Sequence, residues 1–144
     1  MSVGEILKGK GMEVETIASD ATVAEAVERL RDESIGALVV SADGQSVEGV
    51  FSERDIVSGL ADHPEDLLSM KVGDLMTRLV KTCSPEDSVE QVLIRMTEQR
   101  ARHFPVLDDG RLVGIVSIGD LVKNRLDEVE LENKVLRDTY IAGR

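Results

Sequence analysis

A short pattern that occurs twice constrains the fold of this 144-residue chain more than any other feature. Residues 49–57 read Gly-Val-Phe-Ser-Glu-Arg-Asp-Ile-Val, and residues 114–122 read Gly-Ile-Val-Ser-Ile-Gly-Asp-Leu-Val. In each copy the apolar residues after the first glycine predict a strand, and the Ser-x-x-Asp that follows predicts the start of a helix. The chain therefore contains two strand-to-helix junctions that each carry a hydroxyl and a carboxylate.

The segments around these junctions are duplicated as well. Capping-box patterns at residues 22–25 and 88–91 each begin a helix with an apolar stripe, and a strand, an Asp-Gly turn and a return strand follow. Corresponding residues lie 65 to 67 positions apart. The pattern predicts an α/β (α+β) fold of two β-α-β-β-α units that pack together, because one unit alone is too small to cover its sheet. The predicted boundaries are 1–67 for the first repeat, 68–126 for the second and 127–144 for a helical tail.

The tail is predicted to be one long helix from about residue 120 to residue 140, with apolar residues at heptad spacing. Two interpretations remain open: an amphipathic helix that lies on its own domain, or a helix that contacts a second copy. We favour the dimer contact, in which an asparagine at a core position would fix the register and a two-stranded state. The heptad positions are Val122, Leu126, Val129, Asn133, Leu136 and Tyr140.

Composition limits the partners. The formal net charge of −11 disfavours nucleic acid backbones and anionic membranes, which are held largely by Lys and Arg, so a phosphate ligand would need a local basic cluster. Cys83 is the only cysteine, which excludes an intrachain disulfide and a thiolate metal cluster. The sequence shows no signal peptide and no apolar run that could span a bilayer. These features predict a cytoplasmic protein without membrane insertion.

The repeated Ser-x-x-Asp has two chemical interpretations. Structurally, Ser52 or Ser117 is the N-cap of a helix and the aspartate completes a capping box. Functionally, the free amides and the dipole of the helix N-terminus attract a phosphate, and Asp55 or Asp120 accepts the hydroxyls of a ribose. One copy alone would favour capping. The recurrence of the pattern, with a glycine before each serine that permits close approach, favours the second interpretation.

The chain resembles a tandem pair of CBS domains, named for cystathionine beta-synthase, over about residues 2–126. The matching motifs are residues 72–77 at the start of a repeat, Arg102-His103-Phe104-Pro105-Val106 on a strand, and Gly-h-x-Ser-x-x-Asp at the end of both repeats. The resemblance implies that the repeats pack about a pseudo-twofold axis and leave two clefts for adenosine-containing ligands. It also implies that two such pairs associate into a flat disc, so that a homodimer is expected.

The resemblance also implies roles for individual residues. Asp55 and Asp120 correspond to the ribose acceptors, and Ser52 and Ser117 to the hydroxyls near the phosphate. The segment that flanks the base corresponds to Thr16, Ile17 and Ala18 in the first repeat and to Thr82 and Cys83 in the second.

Basic residues near these motifs could hold the phosphate. Arg102 and His103 precede a buried strand at the position where the family places phosphate-facing side chains, and Arg54 lies inside the first motif. The first repeat has Ile35-Gly36-Ala37 where we align Arg102-His103-Phe104, so the two clefts are expected to differ in occupancy. Because the Arg-His pair belongs to the second repeat, Asp120 is the first place to expect the ligand.

These observations predict a non-enzymatic regulatory module that binds AMP, ADP, ATP or NAD between its repeats, signals through altered packing or dimer geometry, and needs no other cofactor. The alternative is an interaction or dimerisation protein that regulates a separate enzyme or transporter through its disc face or tail, with nucleotide binding incidental. The target protein is unidentified in both cases. Catalysis is disfavoured, because the motifs contain no nucleophile–base pairing, no metal-ligand spacing and no Gly-x-x-x-x-Gly-Lys loop.

Overall fold

The structure is a computed structural model that describes residues 1–11, 14–78 and 80–142. The chain contains six helices and five strands within these residues, and a 3-10 turn at Leu67–Ser69 precedes the fourth helix. The elements are α1 Val3–Lys10, β1 Thr16–Ile17, α2 Val23–Asp32, β2 Ala37–Val40, β3 Gly49–Ser52, α3 Glu53–Asp62, α4 Val72–Leu75, α5 Val89–Gln99, β4 His103–Asp108, β5 Arg111–Ser117 and α6 Ile118–Ala142.

The helices begin where the capping patterns predict. The Thr22 hydroxyl accepts a hydrogen bond from the Glu25 amide at 3.2 Å, and the Glu25 carboxylate accepts one from the Thr22 amide at 3.3 Å. The Ser88 hydroxyl likewise accepts from the Gln91 amide at 3.1 Å. These bonds satisfy amides that have no partner inside the helix, so the starts of α2 and α5 follow directly from the sequence.

Each repeat contributes one small sheet of the same design. In the first sheet the strand order is β1-β2-β3, with β1 parallel and β3 antiparallel to β2. In the second, β4 pairs with β5 in antiparallel fashion, and the Cys83 backbone lies parallel to β4. The Cys83 amide donates to the Pro105 carbonyl at 3.1 Å, and the Leu107 amide donates to the Cys83 carbonyl at 2.9 Å. Cys83 therefore takes the place that β1 takes in the first sheet.

The strand register corrects the predicted alignment of the repeats by one residue. Ala37 is paired with Ser52 and His103 with Ser117, so Ala37 corresponds to His103, and Gly36 rather than Ile35 corresponds to Arg102. The prediction was wrong because all four residues of β2 are buried. Without alternation between apolar and polar residues, a strand carries no signal that fixes its register.

The two hydrophobic cores are assembled crosswise from the repeats. Helix α1, at the N-terminus, contributes Val3 and Leu7 to the core of the second sheet. Val72 and Met76, in and just after α4, belong to the core of the first sheet. The predicted boundary at residues 67 and 68 follows sequence similarity, whereas each packed core draws on both sides of it.

The crosswise packing is held by matching backbone hydrogen bonds. The Val3 amide donates to the Asp87 carbonyl at 2.9 Å, and the Gly4 amide to the Pro85 carbonyl at 2.9 Å. A Cβ on Gly4 would lie 3.2 Å from that Pro85 oxygen, so glycine permits the close approach. The equivalent bonds join the start of the second repeat to the segment before α2. The Val72 amide donates to the Ala21 carbonyl at 2.9 Å, and the Gly73 amide to the Ser19 carbonyl at 2.8 Å.

The C-terminal helix is confirmed and extends beyond the two cores. Leu121, in its first turn, is completely buried against the second core. Every side chain from Val129 to Ile141 is exposed. No helix in the described part of the chain is both long enough and apolar enough to cross a membrane.

Candidate functional site

The first Ser-x-x-Asp motif lies where β3 ends and α3 begins, and it is held by hydrogen bonds to one carboxylate. The amide and the hydroxyl of Ser52 both donate to Asp55 Oδ2, at 2.8 and 3.2 Å. Thr77, near the start of the second repeat, donates its hydroxyl to Asp55 Oδ1 at 3.2 Å. Thr77 is placed there by backbone hydrogen bonds with Val50 of β3, at 2.9 and 3.0 Å. The Asp55 carboxylate is thus fixed between the two repeats.

A cavity of about 610 Å³ opens beside this carboxylate. Its lining contains four Arg and Lys side chains but only two acidic ones, a local excess of positive charge in a chain of net charge −11. Arg54 Nη1 lies 3.4 Å from the Arg100 carbonyl oxygen, to which it donates. The basic residues are Arg54, Lys81, Arg100 and Arg102, and apolar surface comes from Val50, Val57, Val80 and Ala101.

His103 forms another part of the wall, at the start of β4. Burial lowers the pKa of its imidazole; the positive charges of Arg102 and Lys10 lower it further, while Glu53 and Asp120 act in the opposite direction. The ring is therefore neutral at pH 7. A Cβ on Gly36 would lie 3.3 Å from His103 Nε2, so the glycine leaves room for the imidazole.

The second Ser-x-x-Asp motif is occupied by a lysine of α1. Lys10 Nζ donates to Asp120 Oδ2 at 2.7 Å and to the Ile115 carbonyl at 3.1 Å. Burial alone would raise the pKa of Asp120, but its hydrogen bonds with Lys10 and Ser117 prevail and the pKa is lowered. The Asp120 amide donates to the Ser117 hydroxyl at 3.1 Å, which confirms the predicted capping role of that serine.

Five of the predicted site residues meet at the cavity, in a grouping that the sequence does not predict. Arg102 and His103 line the same cavity as Ser52, Arg54 and Asp55, whereas Ser117 and Asp120 are absent from its lining. The Arg-His pair thus borders the same cavity as Asp55 of the first repeat, while the pairing of His103 with Ser117 also keeps it near the second motif. The start of β4 is adjacent to both motifs: the Arg102 carbonyl accepts a hydrogen bond from the Ile118 amide of α6 at 2.8 Å, and the Arg102 and His103 side chains line the cavity beside the first turn of α3. That Asp120 is the first place to expect the ligand stays a prediction.

The segments predicted to flank the base lie outside the cavity. Ile17 and Cys83 are core residues, exposed by only 6% and 5%. Burial raises the pKa of the Cys83 thiol to about 12, so the side chain behaves as a small apolar group. The carbonyls of Thr16 and Thr82 accept hydrogen bonds from Arg29 and Arg95. The exposed Ala18 is absent from the cavity lining as well.

Sequence reasoning missed the residues that take these places. Val80 and Lys81 line the cavity just ahead of the predicted Thr82 and Cys83, and Thr77 contacts the carboxylate itself. Thr77 ends the motif at the start of the second repeat, so its position was visible, but its contact depends on tertiary pairing with β3. In the part of the chain that the structure describes, no three His, Cys, Asp or Glu residues are grouped so that they could hold a metal ion.

Comparison with known proteins identifies relatives over nearly the whole chain. The chain is 35% identical over 150 residues to the mitochondrial CBS domain-containing protein CBSX3 of Arabidopsis thaliana, an alignment that covers 99% of this chain and 72% of that protein. The crystal structure of the CBS-domain containing protein ATU1752 from Agrobacterium tumefaciens is 41% identical, with a TM-score of 0.83 and coverage of 87% of this chain and 99% of that one.

A third relative carries ligands. The crystal structure of the CBS domain pair of protein MJ0100, in complex with 5'-methylthioadenosine and S-adenosyl-L-methionine, has a TM-score of 0.78 at 26% identity and covers 89% of this chain and 98% of that one. A sequence model of the CBS domain matches residues 3–62 and 72–127. The two crosswise-packed repeats and these matches agree: the chain belongs to the CBS domain family and is a regulatory module built from a CBS domain pair.

Proposed function

We propose that this protein binds a phosphate-bearing adenosine nucleotide, AMP, ADP, ATP or NAD, in the cavity beside Asp55, and that it acts as a non-enzymatic sensor. The observation that carries the proposal is the composition of the cavity wall. One fixed carboxylate stands among four cationic side chains in an otherwise acidic protein. The volume of about 610 Å³ lies within the range of roughly 300–1,000 Å³ of small-molecule sites.

Asp55 is the ribose acceptor in this proposal. An ionised carboxylate offers about four acceptor positions, and the hydrogen bonds from Ser52 and Thr77 use three of them. A ribose hydroxyl can take the position that remains, and a second one can replace the bond from Thr77. Val50, Val57, Val80 and Ala101 supply the apolar surface against which an adenine ring would pack.

The basic residues favour a ligand with phosphate. Arg54 lies in the first turn of α3, where the helix dipole also attracts negative charge. Arg100 and Arg102 face it from the other repeat. Guanidinium groups bind phosphate oxygens in bidentate fashion, whereas they would repel the sulfonium of S-adenosylmethionine. The related MJ0100 domain pair binds two adenosyl compounds without phosphate, so the basic cluster would distinguish this chain from that relative.

The site is suited to signalling because it is made from both repeats. A ligand held by Asp55 on one side and Arg102 on the other binds most tightly at one separation of the two. Differential affinity of this kind is what shifts a conformational equilibrium. The shift would be read by a separate target protein through the surface of the pair or of its dimer.

Isothermal titration calorimetry with AMP, ATP, NAD and S-adenosylmethionine tests the proposal. We expect at least one phosphate-bearing nucleotide to bind, and Asp55→Asn to weaken it by about tenfold or more, because the charge-assisted hydrogen bonds to ribose are lost. Asp62→Asn, at the exposed end of the same helix, is the matched control and should leave affinity unchanged. The proposal is wrong if none of AMP, ATP and NAD binds, or if the Asp55 and Asp62 variants behave alike.

A further inference from the structure

Helix α6 contains an apolar face that its own chain does not cover. The helix runs from Ile118 to Ala142; its main contacts with other elements are with α1, α5 and β5, and its side chains from Val129 to Ile141 are exposed. Leu126 is 59% exposed and Leu136 is 67% exposed. The part that projects from Val129 onwards is about 20 Å long at 1.5 Å per residue. An isolated helix of this length is only marginally stable in water, so burial of its apolar side chains against a partner would stabilise it.

We propose that the partner is a second copy of this chain, and that residues 122–140 of the two copies form a parallel, in-register, two-stranded coiled coil. Val122, Val129 and Leu136 take the d positions of the heptad, and Leu126 and Asn133 the a positions. In register, Asn133 meets Asn133 of the second copy. A single asparagine pair at an a position is the feature that specifies two strands in parallel, at some loss of stability.

The charges beside this face select the parallel orientation. Arg125 and Glu132 occupy g positions, and Glu130 and Arg137 occupy the e positions five residues further on. In a parallel pair each g residue faces the following e residue of the other helix. Arg125 then faces Glu130, and Glu132 faces Arg137. Both contacts join opposite charges.

The antiparallel alternative with full overlap brings like charges together. In that arrangement e positions face e positions and g positions face g positions. Glu130 would face its own copy, Glu132 would do the same, and Lys123 would face Arg137. Like charges set directly against each other across a helix pair are repulsive, so this orientation is disfavoured.

The residues that would pair between helices have few competing contacts. Within the described residues, Glu130, Glu132 and Arg137 form no salt bridge, and Arg125 contacts Glu128 of its own helix at 3.1 Å. Glu128 is held on the other side by the N-terminal ammonium at 3.6 Å. These contacts lie before Val129, so the part of the helix from Val129 onwards is available to contact the second copy.

Disulfide crosslinking of single-cysteine variants tests orientation and register without reference to the nucleotide. Leu136→Cys places a thiol at a d position, where identical residues meet in a parallel dimer. Lys134→Cys, two residues away at an outer b position, is the matched control. The native Cys83 is buried, so wild-type protein gives the background. With mild oxidant we expect Leu136→Cys to form covalent dimer at least about ten times faster than Lys134→Cys, because the coiled coil raises the local thiol concentration.

A mixture of Leu126→Cys and Leu136→Cys, distinguished by a mass tag on one chain, separates the two orientations. A parallel pair gives mainly same-site dimers, whereas an antiparallel pair gives mainly the mixed 126–136 product and would overturn the proposal. Equal rates for Leu136→Cys and Lys134→Cys would overturn it as well. All three substituted positions are exposed, so the variants are expected to fold normally.

Discussion

At the scale of single residues, the two Ser-x-x-Asp motifs differ in the group that reaches the aspartate. Thr77 bonds the backbone of Val50 and the carboxylate of Asp55. Lys10 bonds the corresponding pair, the Ile115 carbonyl and the Asp120 carboxylate. A neutral hydroxyl leaves the charge of Asp55 in place, whereas the ammonium of Lys10 compensates that of Asp120. The sequence could not predict this difference, because Lys10 is 110 residues from Asp120 and contacts it only in the folded chain.

Replacing Lys10 by threonine should make the second motif like the first. We expect Lys10→Thr to bind one more nucleotide per chain than the wild type. Without the Lys10 ammonium, the Asp120 carboxylate is free of its ion pair and can accept hydrogen bonds from ribose hydroxyls. Calorimetric stoichiometry with the nucleotide that binds best provides the measurement. Lys8→Thr, on the same helix and exposed, is the control and should keep the wild-type stoichiometry. An unchanged stoichiometry in Lys10→Thr would mean that the lysine is not what closes this motif.

At the scale of elements, sequence patterns located the helices better than they located the contacts between elements. The capping box at Thr22 and the N-cap at Ser88 identified two helix starts, because a cap is a local interaction. The predicted base-flanking segments fell beside the cavity instead of in it. Which face of an extended segment meets a cleft is decided by pairing with a distant strand, such as that of Thr77 with Val50, and no local pattern encodes it.

The pairing of β3 with the segment around Thr77 depends on a glycine. A Cβ on Gly49 would lie 2.6 Å from the Thr77 carbonyl oxygen, closer than a Cβ atom approaches an oxygen without a clash. We therefore expect Gly49→Ala to lower the free energy of unfolding by about 1–3 kcal/mol, as overpacking does. A urea titration monitored by circular dichroism measures this change in the free energy of unfolding.

The control for this substitution is Gly9→Ala. A Cβ on Gly9 would meet nothing within 4 Å, and the residue lies inside helix α1. Alanine there should be neutral or should stabilise by about 0.5–1 kcal/mol, because glycine is a poor helix former. If Gly49→Ala proves as stable as Gly9→Ala, β3 and the segment around Thr77 are far enough apart in solution to accommodate a Cβ.

At the scale of the whole molecule, the duplication was visible in the sequence, but the exchange of segments between the repeats was not. The short helices α1 and α4 begin at two matching Val-Gly-(Glu/Asp) motifs, but the predicted β-α-β-β-α unit did not include them. An apolar helix face such as that of Val3 and Leu7 fits the core of either repeat by composition alone. The contacts that place it in the second core, the backbone hydrogen bonds to the segment before α5 and those of Lys10 with Ile115 and Asp120, form only in the folded chain.

Because of the crosswise packing, a destabilising substitution in α1 is expected to destabilise the core of the second repeat. Leu7 is 3% exposed within the second core. We expect Leu7→Ala to lower the free energy of unfolding by about 2–5 kcal/mol, as for other buried leucines, in a single cooperative transition. Hydrogen exchange should become faster throughout α5 and β4, more than 70 residues away along the chain.

Lys8→Ala, an exposed neighbour on the same helix, should leave stability and exchange nearly unchanged. Faster exchange confined to α1 in the Leu7 variant would show that the second core is complete without this helix. A second unfolding transition would likewise argue that the two halves fold as separate units.

The exchange of segments also sets an order of events during synthesis of the chain on the ribosome. The first core can close only after Val72 and Met76 have left the exit tunnel. Helix α1 emerges first, yet the core that receives Val3 and Leu7 ends at Leu121. Its apolar face therefore stays exposed while more than 100 residues are made, at a pace of roughly 5–20 residues per second. For those seconds the uncovered face of α1 is a site at which a chaperone or a neighbouring nascent copy of the same chain can bind.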